Sequence, residues 1–466
     1  MTVPARPRRF VRAVADHWVL SLGVAALTVV LLRFRSEVDV DVWLHLRIGR
    51  ELRGGQWFGV LPDPLVALAD RAYLPTQWLS EVVGSWAVDG AGLVGLRVLR
   101  LLALLVMMAA LYATARRTMT PARSAGVVLV VAVTTAAAWA ERPQVAGLAL
   151  AAVTVLLWER TLADGRPRWL LVPLTWVWAM VHGTWAVGLA FGALTLVVAA
   201  VTRRSSTRWP PVGAVLLACV VVAGATPLGP RLLIEPFAVS SSARAGTGVN
   251  EWQTPTLGNP LYVLVLVVGA VVVVRSLRRR PFDAAPVLFA LAGAGLAAYS
   301  VRTVAFGGLL LVPALMRAFP SGDRRPWTRG ESAPLVVAAL VMALAPGVVW
   351  GGPSAGPLGR PVDTALAALP AGTVAAVDVR VSGWVLAAHP GVRPLRDLRA
   401  EVYTAPTAAA YEDFTNARPG WAAYADAHRV AVIVAAVGEP LDRALAGSAG
   451  WRVAGADGTY RLWRRA

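Results

Sequence analysis

The sequence predicts an all-α polytopic membrane domain of about eleven transmembrane helices, followed by a small C-terminal α/β domain. Three observations carry this. The 466-residue chain is 57% hydrophobic and 15% charged, with mean hydropathy +0.58. Apolar runs of ~20 residues, each long enough to cross a bilayer, recur through the first 350 positions. The composition then shifts at the Gly- and Pro-rich linker Gly351-Gly352-Pro353-Ser354-Ala355-Gly356-Pro357.

The basic start Arg6, Arg8, Arg9, Arg12 precedes the first run, and no small-residue cleavage site follows it, so a signal-anchor span is expected over 17–34. Further spans are expected at 91–114, 124–140, 143–158, 169–182, 185–201, 211–226, 259–275, 284–300, 303–318 and 332–350. Orientation follows from the short Arg-rich loops. Arg116-Arg117, the Arg160–Arg168 loop, Arg203-Arg204, Arg275–Arg280 and Arg317–Arg329 alternate onto the side of the N-terminus, which is therefore expected to be cytoplasmic. The opposite side takes the long loop 35–90, the Glu141-Arg142 turn, the His182 corner, 227–258, the Tyr299–Thr303 turn and the C-terminal domain, 361–466.

In the long loop, Val42–Leu52 and Gln77–Val88 have amphipathic helical spacing, and their Trp residues suit a membrane interface. Arg33, Arg35, Arg47, Arg50, Arg53 and Arg71 give this loop more positive charge than an outer loop normally carries. Codon bias or an anionic lipid partner would account for them. After the linker, Thr364–Leu369 and Leu441–Ala446 read as helices, and Thr373–Val379, Arg429–Ala436 and Tyr460–Trp463 as strands.

The net charge of +18 does not indicate nucleic-acid binding, because every basic residue is Arg and these cluster in loops between apolar runs. Cys219, the single cysteine, rules out an internal disulfide or a Cys-based metal site. No Ser-His-Asp, phosphate-loop or nicotinamide signature is present, and five His residues leave little room for a dedicated multi-histidine metal site.

The richest segment is Val38-Asp39-Val40-Asp41-Val42-Trp43-Leu44-His45, beyond the first apolar run. Ionisable groups at a membrane boundary are costly and point to chemistry or ion handling. If a helix begins near Asp41, His45 lies one turn on and on the same face. Asp39, Asp41 and His45 then suit either a divalent cation or a general base beside a lipid phosphate. An N-cap is the plainer role for one of the carboxylates. Glu81 has a solvated helix charge as its plain alternative, and His182 a structural hydrogen bond. Arg302 suits an anionic phosphate or interfacial snorkelling. Arg142 and Glu251 complete the polar set on the outer side.

Together these pieces resemble the GT-C superfamily of membrane glycosyltransferases, in particular a bacterial branch that begins Asp-x-Asp-x-Trp-x-His. Here that start is Asp39-Val40-Asp41-Val42-Trp43-Leu44-His45, followed by Gly49. The likeness continues through Gln77-Trp78-Leu79-Ser80-Glu81, Arg142-Pro143-Gln144, His182-Gly183, Pro227-Leu228-Gly229, Glu251-Trp252 and Arg302. In the tail it covers Gly383-Trp384, Asp397 with Arg399, and Tyr403. Thr76-Gln77 departs from the branch's usual His-Glu, and Leu44 from its usual Trp.

The resemblance implies a polyprenyl-phosphate-linked sugar donor and a glycan, lipid or protein acceptor in the cell envelope. Asp41, assisted by Asp39, would act as catalytic base. His45, Glu81, Arg142, His182, Glu251 and Arg302 would bind substrate. The alternatives are a transporter or flippase of lipid-linked glycans, for which no internal repeat is evident, and a non-catalytic assembly protein.

Overall fold

The computed structural model describes residues 38–202, 209–246, 250–321 and 356–466. The spans expected at 17–34 and 332–350, and the linker as far as residue 355, lie outside the described residues. The chain forms two compact units. One comprises, among the described residues, 94–236 and 250–321; the other joins 38–93 and 237–246 to 356–466. The long loop is thus grouped with the C-terminal region rather than with the membrane helices.

The first unit is a helical bundle, and the chain is a multi-pass membrane protein. Helix α1 is Val40–Arg53 and α2 is Trp78–Ala115; then follow α3 (Pro121–Thr135), α4 (Pro143–Asp164), α5 (Leu171–Val181), α6 (Trp185–Val201), α7 (Trp209–Gly224), α8 (Glu235–Gly246), α9 (Pro260–Leu277), α10 (Ala284–Tyr299), α11 (Val304–Leu309) and α12 (Leu311–Ala318). Among the described residues, five helical stretches are long and apolar enough to cross a membrane: Trp78–Ala115, Pro121–Ala138, Pro143–Asp164, Pro260–Leu277 and Val301–Ala318. Helices α5, α6, α7 and α10 are shorter but equally apolar.

Each described span follows its expected position to within a few residues. The long α2 merges two expected elements, with non-helical backbone at Ala91 and Gly92. That break separates the amphipathic half, in the second unit, from the membrane half. Helices α4 and Val301–Ala318 are mostly buried, whereas α9 is largely exposed on its apolar surface, as a lipid-facing helix should be. Close backbone approach is the packing device: a Cβ at Gly307 would collide with the carbonyl of Gly293.

The Arg-rich helix ends meet as the alternation of spans requires. Arg317 Nη2 lies 2.7 Å from Glu159, Arg279 Nη1 donates to the Arg317 carbonyl at 3.0 Å, and Thr118 Oγ1 donates to the Met316 carbonyl at 2.8 Å.

The second unit contains a five-stranded sheet in the order β2-β1-β3-β5-β4. Its strands are β1 Thr373–Val377, β2 Val392–Pro394, β3 Val432–Ala436, β4 Trp451–Ala456 and β5 Tyr460–Arg465. β1 is parallel to both β2 and β3, whereas β5 is antiparallel to β3 and to β4. Helices α13 (Arg360–Ala367), α14 (Val379–Ala388), α15 (Ala405–Thr415), α16 (Trp421–Ala427) and α17 (Pro440–Ala446) complete it. β3 is buried at every position, which is why a run of apolar residues rather than an alternating one forms it. Strands β2 and β4 and helices α14, α15 and α16 were not expected. β2 is only three residues long, and four of the six residues of β4 are exposed, so neither shows a strand-like apolar pattern.

Candidate active site

The first polar cluster belongs to the second unit. Asp39 is the N-cap of α1, its carboxylate accepting the Asp41 N–H at 3.1 Å. Asp41 occupies the first turn, where the helix dipole favours negative charge. One turn further on, His45 Nδ1 lies 2.9 Å from Glu81 Oε1. The Tyr73 hydroxyl donates to the same oxygen at 3.4 Å. Glu81 is buried, and its second oxygen, Oε2, has no hydrogen-bond partner. Burial, followed by the charge of Glu81, pushes the Tyr73 phenol well up, so it remains a donor across the physiological range.

The chain brings α1 against α2 through Gly49, where a Cβ would strike the Glu81 carbonyl. It brings α14 against α1 through Gly383, where a Cβ would lie 3.0 Å from the Val40 carbonyl oxygen. Beside that contact Trp43 and Trp384 meet edge to face, 4.6 Å between centroids.

A buried ionic network fixes the loop to the α/β fold. Arg399 donates to both oxygens of Asp63 at 2.9 Å and, through Nε, to Asp397 at 2.7 Å. The Tyr403 hydroxyl donates to Asp397 at 3.0 Å. Asp397, Arg399 and Tyr403 had been singled out in the sequence, but Asp63, in Leu61-Pro62-Asp63-Pro64, had not. A lone Asp between prolines reads as a turn residue, and only its bidentate partner, distant in the chain, reveals its role. Three of the surplus Arg of this loop are paired within it: Arg47 with Glu51 at 2.7 Å, and Arg50 and Arg53 with Asp89 at 2.8 and 2.5 Å. An anionic lipid is not needed to account for those three.

Asp39, Asp41 and His45 do not assemble as a metal set. Among the described residues no three His, Cys, Asp or Glu side chains converge to hold a cation. The physical reason is local: Asp39 turns back to cap its own helix, and His45 Nδ1 faces Glu81.

The second cluster lies in the membrane unit. Glu141 and Arg100 form a buried ion pair at 2.6 Å. Glu251 stands between two guanidiniums: Arg142 Nη1 donates to Oε1 at 2.7 Å, and Arg302 Nε lies 3.8 Å from Oε2. Arg302 also stacks 4.9 Å over Trp252, and the Val301 N–H donates to the Gln253 carbonyl at 3.0 Å. Arg142, Glu251 and Arg302, far apart in sequence, are therefore one constellation. In it two guanidiniums face one carboxylate. His182 is the C-cap of α5, with Nδ1 2.9 Å from Thr184 Oγ1, which also accepts from Trp178 Nε1 at 3.2 Å.

Comparison with known proteins agrees with this architecture. The family model described as dolichyl-phosphate-mannose-protein mannosyltransferase matches residues 76–226, about a third of the chain. No curated protein sequence matches it significantly. Among solved structures, the apo Archaeoglobus fulgidus oligosaccharyltransferase aligns with TM-score 0.55 at 12% identity, over 90% of this chain and 69% of that one. The Archaeoglobus fulgidus oligosaccharyltransferase AglB in complex with an inhibitory peptide and a dolichol-phosphate gives 0.55 at 14% identity, with the same coverage. ArnT from Cupriavidus metallidurans, bound to undecaprenyl phosphate, gives 0.51 at 16% identity, over 96% of this chain and 97% of that one. At such identities the likeness carries the fold alone, which this chain shares with the oligosaccharyltransferase and ArnT structures.

Proposed function

We propose that this chain is an inverting GT-C-type glycosyltransferase that moves a sugar from a polyprenyl-phosphate donor to an extracytoplasmic acceptor. The observation that carries the reading is the near end-to-end likeness to ArnT, whose structure holds undecaprenyl phosphate. The match to the dolichyl-phosphate-mannose-protein mannosyltransferase model supports it independently.

In this reading Asp41 positions the acceptor hydroxyl and takes its proton, while Asp39 orders the helix turn that presents Asp41. The acceptor oxygen attacks the anomeric carbon. The bond from that carbon to the phosphate oxygen breaks, and polyprenyl phosphate departs with the electron pair. Arg302 and Arg142 offset the charge that develops on the leaving phosphate. His45, Glu81, Glu251 and His182 shape the substrate surfaces. No step is assigned to a metal. The Arg-rich loops support a cytoplasmic N-terminus and an extracytoplasmic C-terminal region. The transporter reading is weaker because the polar constellations lie at helix ends rather than within interrupted helices.

The test is a membrane assay with a radiolabelled polyprenyl-phosphate-linked sugar, comparing wild type with Asp41→Asn. Transfer into envelope material is expected for wild type and should fall at least ~100-fold in the variant, as expected for a general base. Full retention of transfer by Asp41→Asn would remove Asp41 as the base.

A further inference from the structure

The two parallel strands at the centre of the sheet, β1 and β3, diverge in their connections. From β1 the chain passes through α14 to β2 on one side; from β3 it passes through α17 to β4 and β5 on the other. The carboxyl ends of β1 and β3 therefore flank a topological switch point, the place where open α/β sheets bind ligands. A cavity of about 370 Å³ lies there, bordered by Asp378, Arg380, Arg396, Tyr411, Thr415 and Glu439.

The charges around it are unevenly satisfied. Arg380 pairs with both Asp378 and Glu439, bridging the two strand ends. Arg396 is different. Its guanidinium lies 5.0 Å over Tyr403 and 5.8 Å over Tyr411, and its buried Nε has no hydrogen-bond partner. No carboxylate pairs with it among the described residues. The Tyr411 hydroxyl donates to the Val377 carbonyl at 2.8 Å and leaves Arg396 Nε without an acceptor. A desolvated N–H without an acceptor is costly, and a planar guanidinium matches a carboxylate or phosphate in two-point fashion.

We propose that this cavity binds a small saccharide bearing an acidic substituent, a carboxylate or a phosphate, with Arg396 receiving the acid. The volume lies at the small end of ligand pockets, which run from ~300 Å³, and suits one or two sugar rings. The Asp378–Arg380–Glu439 rim supplies both acceptors and donors for ring hydroxyls. The saccharide assignment rests on the glycosyl-transfer reading and gives the C-terminal region a glycan-holding role.

The test is calorimetric titration of the full chain in detergent micelles with glucuronate, glucose 6-phosphate, glucose and inorganic phosphate. At least one acidic sugar should bind tenfold or more tightly than glucose. Glucuronate against glucose 6-phosphate tells which acid is preferred. Arg396→Gln should abolish that preference, and Thr415→Trp, which fills the cavity from its wall, should remove binding while the melting temperature holds. Equal binding of glucose, equal binding of inorganic phosphate and sugar phosphate, undiminished binding by a folded Arg396→Gln or Thr415→Trp protein, or no binding of any acidic sugar would each overturn the proposal. Binding is read without turnover, so its failure is distinct from a failure of transfer in the Asp41→Asn assay.

Discussion

Replacing Arg399 with Met should release the long loop from the α/β fold. Arg399, Asp63 and Asp397 are 4%, 2% and 1% exposed, so this is a fully desolvated triad. Burial disfavours the charged guanidinium, but Asp397 and Asp63 overcome that and raise its pKa. Met fills a similar volume and leaves two buried carboxylates with no cation. Breaking a buried pair in this way costs about 3–5 kcal/mol. At ~2–4 °C per kcal/mol for a unit of this size, the melting temperature should drop by roughly 6–20 °C. Scanning fluorimetry in detergent measures the drop, and amide exchange should localise the opening to residues 61–70 and 395–404. The triple variant Asp63→Asn, Asp397→Asn, Arg399→Met removes the stranded charges and should recover most of the loss. A single variant that melts within ~2 °C of wild type, or a triple variant no better than the single, would refute the reasoning.

Three further outcomes follow from the same geometry. Gly49→Ala should cost about 1–3 kcal/mol and lower the melting temperature, because its Cβ meets the Glu81 carbonyl; an unchanged melt would show that α1 and α2 separate freely. Asp70 accepts hydrogen bonds from Thr404 and Thr407, and although burial opposes them they lower its pKa. Its folded pKa is thus below the unfolded value of about 4, so the tie is intact above that pH and is lost as pH falls through the lower folded value. Amide exchange at Thr404 should therefore be indifferent to this group from about pH 8 to pH 5, once corrected for intrinsic rates, and opening should begin only below about pH 4. On the proposed function, Arg302→Gln should weaken undecaprenyl phosphate binding about tenfold or more, the worth of one charge-assisted hydrogen bond. Native mass spectrometry reads this directly, and unchanged affinity would remove Arg302 from phosphate binding.

Much of the architecture was legible because membrane solvation imposes long apolar runs. Gln77–Val88 and the following span read as separate elements, and the non-helical backbone at Ala91 and Gly92 does separate them. The long loop's partnership with the tail was hidden. It depends on Gly383 fitting under Val40 and on Arg399 reaching Asp63, pairings across more than 300 positions that periodicity does not encode. The Asp39 cap was readable from residue type and position, whereas the constellation of Arg142, Glu251 and Arg302 required three loops to converge. His45 reads as a substrate-binding residue or a cation ligand; its Nδ1 faces Glu81, a contact created by the α1–α2 packing that Gly49 permits.

The anomeric configuration of the transferred sugar tests the central claim most directly. Purified chain would be given a polyprenyl-phosphate donor of known β-linkage together with envelope extract, and the isolated product examined by NMR. A single displacement at the anomeric carbon predicts an α-linked product, made by wild type and absent with Asp41→Asn. A β-linked product, or intact donor after prolonged incubation with extract that supports transfer by another enzyme, would contradict the account.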